Sequence, residues 1–150
     1  MDICSPIAGI LTALSDVADP VFARAIVGPG VAITPTEESV IPVFAPVSGT
    51  IVKMHPHAFI IHTSSGHDIL VHLGIDTVTL KGRGFTVYHT SGDKVSIGDI
   101  MAHWDLSEAM RIGKDTVVPV IVLDTNVEPE PSVWPGTPVI AGSPILRYLD

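Results

Sequence analysis

Glycine and proline, thirteen of each in 150 residues, cut this sequence into short β-branched runs. "GTIVKM" (49–54), "AFIIHT" (58–63), "DILVHL" (68–73), "GFTVYH" (84–89) and "TVVPVIVL" (116–123) are each bounded by turn residues. Runs of this length and composition read as strands, and punctuation this dense leaves no room for a long helix. The expected class is therefore all-β. Only "DPVFARAI" (19–26) and "DLSEAMRIGK" (105–114) carry helix signals. Asp19 caps the first with Pro20 at its first position, and Asp105 or Ser107 caps roughly two turns before Gly113 in the second. Both read as connectors, and "EPEPS" (128–132) reads as an exposed loop.

Within this pattern the chain repeats itself. "SPIAG" (5–9) returns as "APVSG" (45–49), and "GDKVSIGDIM" (92–101) is echoed by "GTPVIAGSPI" (136–145). In the second pair each segment turns at its first glycine, sends Val95 or Val139 inward and turns again six residues later. A duplicated unit of this kind favours a compact, twisted β-sandwich or barrel. With 46% hydrophobic residues, residues 1–150 are expected to form one domain burying about two-thirds of the unfolded surface.

Charge and composition exclude several classes. A net charge of −8 disfavours nucleic acid and suits a partner with a basic face. No apolar run approaches the ~20 residues of a membrane span. "MDICSPIAGI" lacks the basic region and apolar stretch of a signal peptide, so a cytoplasmic, free-standing protein without membrane insertion is expected. Cys4 is the single cysteine and reads as a plain small side chain, with no disulfide framework.

Five of the seven histidines lie in "HPHAFIIHTSSGHDILVHLGIDT" (55–77). If "TSSG" (63–66) closes a hairpin with Ser64-Ser65 as a two-residue loop, or with all four residues as the connection, paired positions sum to 129. That register sets His57 opposite His72, with Phe59 beside Leu70 and Ile61 beside Asp68 on the same face. An odd-length loop would slip it by one residue. Two adjacent imidazoles offer two chemistries. They can be two ligands of a Zn²⁺ site completed by a carboxylate or a third histidine. Alternatively, one ring nitrogen takes a phosphoryl group while the other ring donates a hydrogen bond to its oxygens. Close imidazoles resist double protonation, which keeps at least one nucleophilic near neutral pH. A surface pair without function is the plain alternative.

"VHLGIDTVTLKGRGF" (71–85), with "HPHAF" (55–59), "APVSGTI" (45–51) and "GDKVSIGDIM" (92–101), resembles the glucose-type EIIA component of the bacterial phosphoenolpyruvate-dependent sugar phosphotransferase system, in order from Ser5 to Leu146. The resemblance implies a duplicated β-sandwich (the duplicated hybrid motif) acting as a phosphocarrier. It makes His72 the residue phosphorylated, on its Nε2 nitrogen, and His57 the donor that steadies the phosphoryl group together with backbone N–H groups at Gly74. The phosphoryl donor would be HPr and the acceptor a cysteine of a IIB domain. Asp76 would meet basic groups on HPr, and Leu70, Leu73, Phe59 and Gly74 would belong to the partner-binding face. No cofactor is required, although zinc could bridge His57 and His72 to a carboxylate of another chain. Transporters or kinases that sense the phosphorylation state are further possible partners.

Four positions depart from that family. Pro29 in "GPG" (28–30) replaces an acidic residue expected near the partner face, and His55 stands where a threonine often orients the supporting histidine. Leu70 and Leu73 stand where some members carry aromatic rings. His62 and His67 read as strand-end residues, and His89 and His103 as structural or exposed. Two other readings stay open: a zinc metallopeptidase of duplicated-hybrid type using "HPH" (55–57), and a biotinyl- or lipoyl-type carrier with Lys53 as the modified residue.

Overall fold

A computed structural model describes residues 1–148. Its strands are β1 (Asp2–Cys4), β2 (Gly9–Ala13), β3 (Gly30–Thr34), β4 (Val40–Phe44), β5 (Gly49–His55), β6 (Ala58–His62), β7 (Asp68–His72), β8 (Phe85–Val87), β9 (Lys94–Val95), β10 (Ile100–Asp105), β11 (Val118–Val122), β12 (Glu130–Pro131), β13 (Pro138–Val139) and β14 (Pro144–Arg147), with helices α1 (Pro20–Ala23) and α2 (Leu106–Arg111). An eight-stranded sheet runs β13-β2-β3-β11-β7-β6-β5-β9, and two three-stranded sheets run β4-β10-β8 and β1-β14-β12. The sheets do not close into a barrel. The large sheet ends on β9 and β13, strands of two residues each, which are too short to carry a ladder further. "EPEPS" is not wholly loop, because Glu130 and Pro131 pair with Arg147 and Leu146.

Strand alternation separates two apolar clusters. Ile69 and Val71 of β7, with Val118, Val120 and Val122 of β11, point inward against Val43, Met101, Trp104 and Leu146 of the smaller sheets. Ile121 points the other way, into a cluster with Leu14, Val17, Phe22, Ala32, Ile75 and Val117. β11 is thus buried on both faces, which is why "VPVIV" is apolar without a break. Each fully buried aliphatic side chain contributes about 1.5–3 kcal/mol. Both helices start where the capping signals place them: Asp19 accepts from the Val21 N–H (2.9 Å) and Asp105 from the Ser107 N–H (3.1 Å).

The sequence echoes fold onto matching geometry. Gly9 pairs with Val139 and Gly49 with Val95. The Gly136 N–H donates to the Leu11 carbonyl (2.8 Å) as the Gly92 N–H does to Ile51 (2.7 Å), and Gly142 bonds Ser5 (2.9 Å) as Gly98 bonds Ala45 (3.0 Å). The large sheet itself reads the same from either end: β13-β2-β3-β11 mirrors β9-β5-β6-β7 about the β11–β7 pair. The chain is a duplicated β-sandwich.

One register differs from expectation. β6 and β7 pair Ala58 with His72, Phe59 with Val71, Ile61 with Ile69 and His62 with Asp68, one residue away from the even-loop register. The loop is Ser64-Ser65-Gly66, closed by Thr63 N–H to His67 O (2.8 Å) and Gly66 N–H to Thr63 O (3.0 Å). Gly66 sits at φ +91°, the left-handed residue that follows the turn in three-residue hairpin loops.

Candidate active site

His72 ends β7, and His57 occupies the two-residue Pro56-His57 turn between β5 and β6. They are not directly opposed, as the even register required. The ladder instead continues one step past β6, where the His57 carbonyl accepts the Leu73 N–H (2.7 Å). That step brings the rings edge to face, with centroids 5.3 Å apart at 73°.

The loop after β7 fixes the chemistry of His72. Its Nδ1 lies 2.5 Å from the Gly74 carbonyl oxygen. A carbonyl only accepts, so Nδ1 carries the proton and the neutral ring keeps its lone pair on Nε2. Gly74 holds that carbonyl in place at φ +82°, where a Cβ would strike Thr77 Cγ2 at 2.6 Å and the Asp115 carbonyl at 2.8 Å. The loop is further tied by Ile75 N–H to Asp115 O (2.9 Å) and Thr77 Oγ1–H to Leu73 O (2.6 Å).

Burial pushes the His72 imidazole below its ordinary range, against the opposing influence of the Gly74 hydrogen bond and of Asp19 and Asp76. His57 is lowered too, by burial first, then by His72 and His55. Both rings therefore favour their neutral forms near neutral pH. Phe22 of α1 packs against His72 (5.3 Å, 58°), and His55 stacks on His57 (5.7 Å, 26°). The four rings form a row in the order Phe22, His72, His57, His55.

Other expected site residues fall into two groups. Asp76 is exposed beside the loop in a left-handed conformation, φ 59°. Gly74 is buried and acts through its carbonyl, while Leu70 is half-buried against the Phe22 cluster. Phe59 and Leu73 are each 1% exposed in the main core and cannot belong to a partner-binding face. The register explains Phe59, because a one-residue slip moves every side chain of a strand to the opposite face. Sequence reasoning missed Phe22 and Asp19 as site residues, having read "DPVFARAI" only for its cap. It also missed the exposed apolar side chains nearby in the chain, Val21 and Ile26 around α1 and Val78 in the 3-10 turn Thr77–Leu80.

Neither rival chemistry finds its arrangement among the described residues. No group of three His, Cys, Asp or Glu side chains among the described residues could hold a metal ion, whereas a peptidase zinc needs three protein ligands. Lys53 lies within β5, opposite Ile60, and not at a hairpin tip. The remaining histidines make local contacts: His62 with Asp68 (2.6 Å), His67 against the Tyr148 ring (4.3 Å), His89 with the Ile100 carbonyl (3.1 Å) and His103 with the Tyr88 hydroxyl (2.6 Å). No helix among the described residues is long and apolar enough to cross a membrane.

A duplicated sandwich presenting an imidazole pair matches a known class of phosphocarrier. Residues 1–127 match the family model for the phosphoenolpyruvate-dependent sugar phosphotransferase system, EIIA 1, and the chain belongs to that family. It is 41% identical over 128 residues to the glucose-specific EIIA component of Halalkalibacterium halodurans, covering 84% of this chain and 71% of the relative. It is 34% identical over 142 residues to that of Staphylococcus aureus, covering 93% and 84%. The β-glucoside-specific EIIBCA component of Bacillus subtilis matches at 41% identity over 81% of this chain and 20% of its own length. Among solved structures, the glucose permease IIA from Mycoplasma capricolum superposes with a TM-score of 0.85 at 33% identity, covering 97% of this chain and 94% of that one. This chain is thus an EIIA of glucose type, a phosphocarrier component of a sugar phosphotransferase system.

Proposed function

We propose that this protein accepts a phosphoryl group from phospho-HPr on Nε2 of His72 and passes it to a cysteine of a IIB domain. The observation that carries this reading is the Gly74 carbonyl on His72 Nδ1, which leaves Nε2 as the nucleophilic nitrogen of a ring kept neutral by burial. In the first transfer the Nε2 lone pair attacks phosphorus, and the broken P–N bond returns its electrons to the imidazole of HPr. In the second, a cysteine thiolate attacks the same phosphorus and the electron pair of the Nε2–P bond returns to His72. Each step is an in-line displacement without redox change. His57 stands against His72 and supplies an N–H to the phosphoryl oxygens, a charge-assisted bond once those oxygens carry negative charge. Val21, Ile26 and Val78 supply an apolar rim, and Asp19 and Asp76 the acidic charge for the basic surface of HPr. The EIIBCA relative carries its EIIA segment in one chain with B and C segments, which fits a IIB domain as recipient.

The test is incubation with phosphoenolpyruvate, enzyme I and HPr, followed by intact mass. Wild type is expected to gain one acid-labile phosphoryl group. His72→Ala is expected to gain none, and His57→Ala to gain it but fail in onward transfer. Wild type remaining unmodified with active HPr would remove the reading.

A further inference from the structure

His57 is the ring that must be aimed, yet among the described residues no hydrogen bond holds it. Its backbone is fixed by the bond from Leu73, but the terminal torsion of a histidine side chain is broad and soft. What restricts the ring is contact: the His72 ring meets it edge to face and His55 stacks on it. The intervening Pro56 locks its own φ, which stiffens the "HPH" turn across which the two imidazoles stack. His55 is itself placed by β5, opposite Ala58.

Resting on the roles given above to His72 and His57, we propose that His55 is a positioning residue for phosphoryl transfer, a flat wall that fixes the plane of the His57 ring so that its N–H meets the phosphoryl group on His72. Its neighbour in the row is His57 and not the reacting nitrogen, so it acts through that ring. A flat side chain at this position should suffice and an ionisable one should not be needed. A small residue would let His57 rotate, and misaligned groups in a transfer step lose rate steeply.

The experiment compares wild type, His55→Ala and His55→Phe in phosphoryl transfer from phospho-HPr, reading kcat and KM separately, with the His57 ring signals followed by NMR. His55 is exposed at a strand end, so both variants should fold. His55→Ala is expected to lower kcat about tenfold with KM unchanged and to shift the His57 ring resonances. His55→Phe is expected to return kcat to within about threefold of wild type. His55→Ala matching wild type overturns the positioning role while leaving the phosphocarrier reading intact. So does His55→Phe failing as badly as His55→Ala, or a change confined to KM, which would make His55 a docking contact. A wild type that takes no phosphoryl group overturns the phosphocarrier reading and this role with it.

Discussion

The two halves of the duplicated sandwich share a frame but not a site. In one half Ala58 faces His72 and the His57 carbonyl accepts the Leu73 N–H; in the other Gly30 faces Ile121 and the Pro29 carbonyl accepts the Val122 N–H (2.9 Å). Pro29 and Ile121 thus occupy the places of His57 and His72. The hairpins differ in their connections. β5 and β6 are joined by Pro56-His57 alone, whereas residues 14–29 between β2 and β3 fold a 3-10 turn and α1 over the outer face of the sheet. That connector buries Ile121 completely and lays Phe22 against His72. Duplication supplied the same hairpin twice, and the enlarged connection of one copy became a wall of the site in the other.

The sharpest attempt to break this comparison is transplantation. Pro29→His with Ile121→His restores the residue types in the second half, but position 121 lies under the Leu14–Phe22 cluster. The double variant is expected to gain no second phosphoryl group in the intact-mass assay and to lose about 3 kcal/mol of stability in urea unfolding, because an imidazole would be buried without a partner. A second acidlabile adduct would show that the connector does not decide the matter.

A smaller effect sharpens the equivalence. A Cβ on Gly9 would collide with the Thr34 carbonyl and one on Gly49 with the His62 carbonyl, at matching places in the two hairpins. Gly9→Ala and Gly49→Ala are each expected to cost about 1–3 kcal/mol, similar to one another, by chemical denaturation. Very unequal losses would mean that the two frames bear load differently.

The smallest effect separates the halves by pH. His57 and His72 both have pKa values lowered on folding, so at acidic pH the unfolded chain binds more protons than the folded one. Above the ordinary imidazole range near 6.5 neither ring has to give up a proton on folding, so the pair adds no pH dependence there, and stability is lost as pH falls through that range toward the lowered folded values. Replacing both with glutamine should flatten the decline in midpoint between about pH 7 and pH 5, while Ile121→Val in the other half should leave its slope unchanged.

Much of the frame was legible because it depends on local chemistry. β-branched runs between Gly and Pro mark the strands, Asp19 and Asp105 mark the helix starts, and the paired echoes mark the duplication. The β6–β7 register was not legible, since "TSSG" fits an even loop as well as a three-residue loop with Gly66 left-handed. The histidine pair survived the slip because the ladder runs one residue past β6 and a ring can bridge the diagonal. Phe59 did not, because alternation flips with register. Phe22 was hidden for another reason: its contact with His72 is tertiary, made by a connector whose path over the sheet no local pattern encodes.

The central claim is that His72 carries the phosphoryl group on Nε2 because Gly74 holds the other nitrogen. The most direct measurement is NMR of the ¹⁵N-histidine-labelled protein after phosphorylation by HPr, reading the phosphorus–nitrogen coupling at each ring. Coupling to Nε2 of His72, with Nδ1 still protonated, is the expected result. Coupling to Nδ1 of His72, or to either nitrogen of another histidine, would contradict the account.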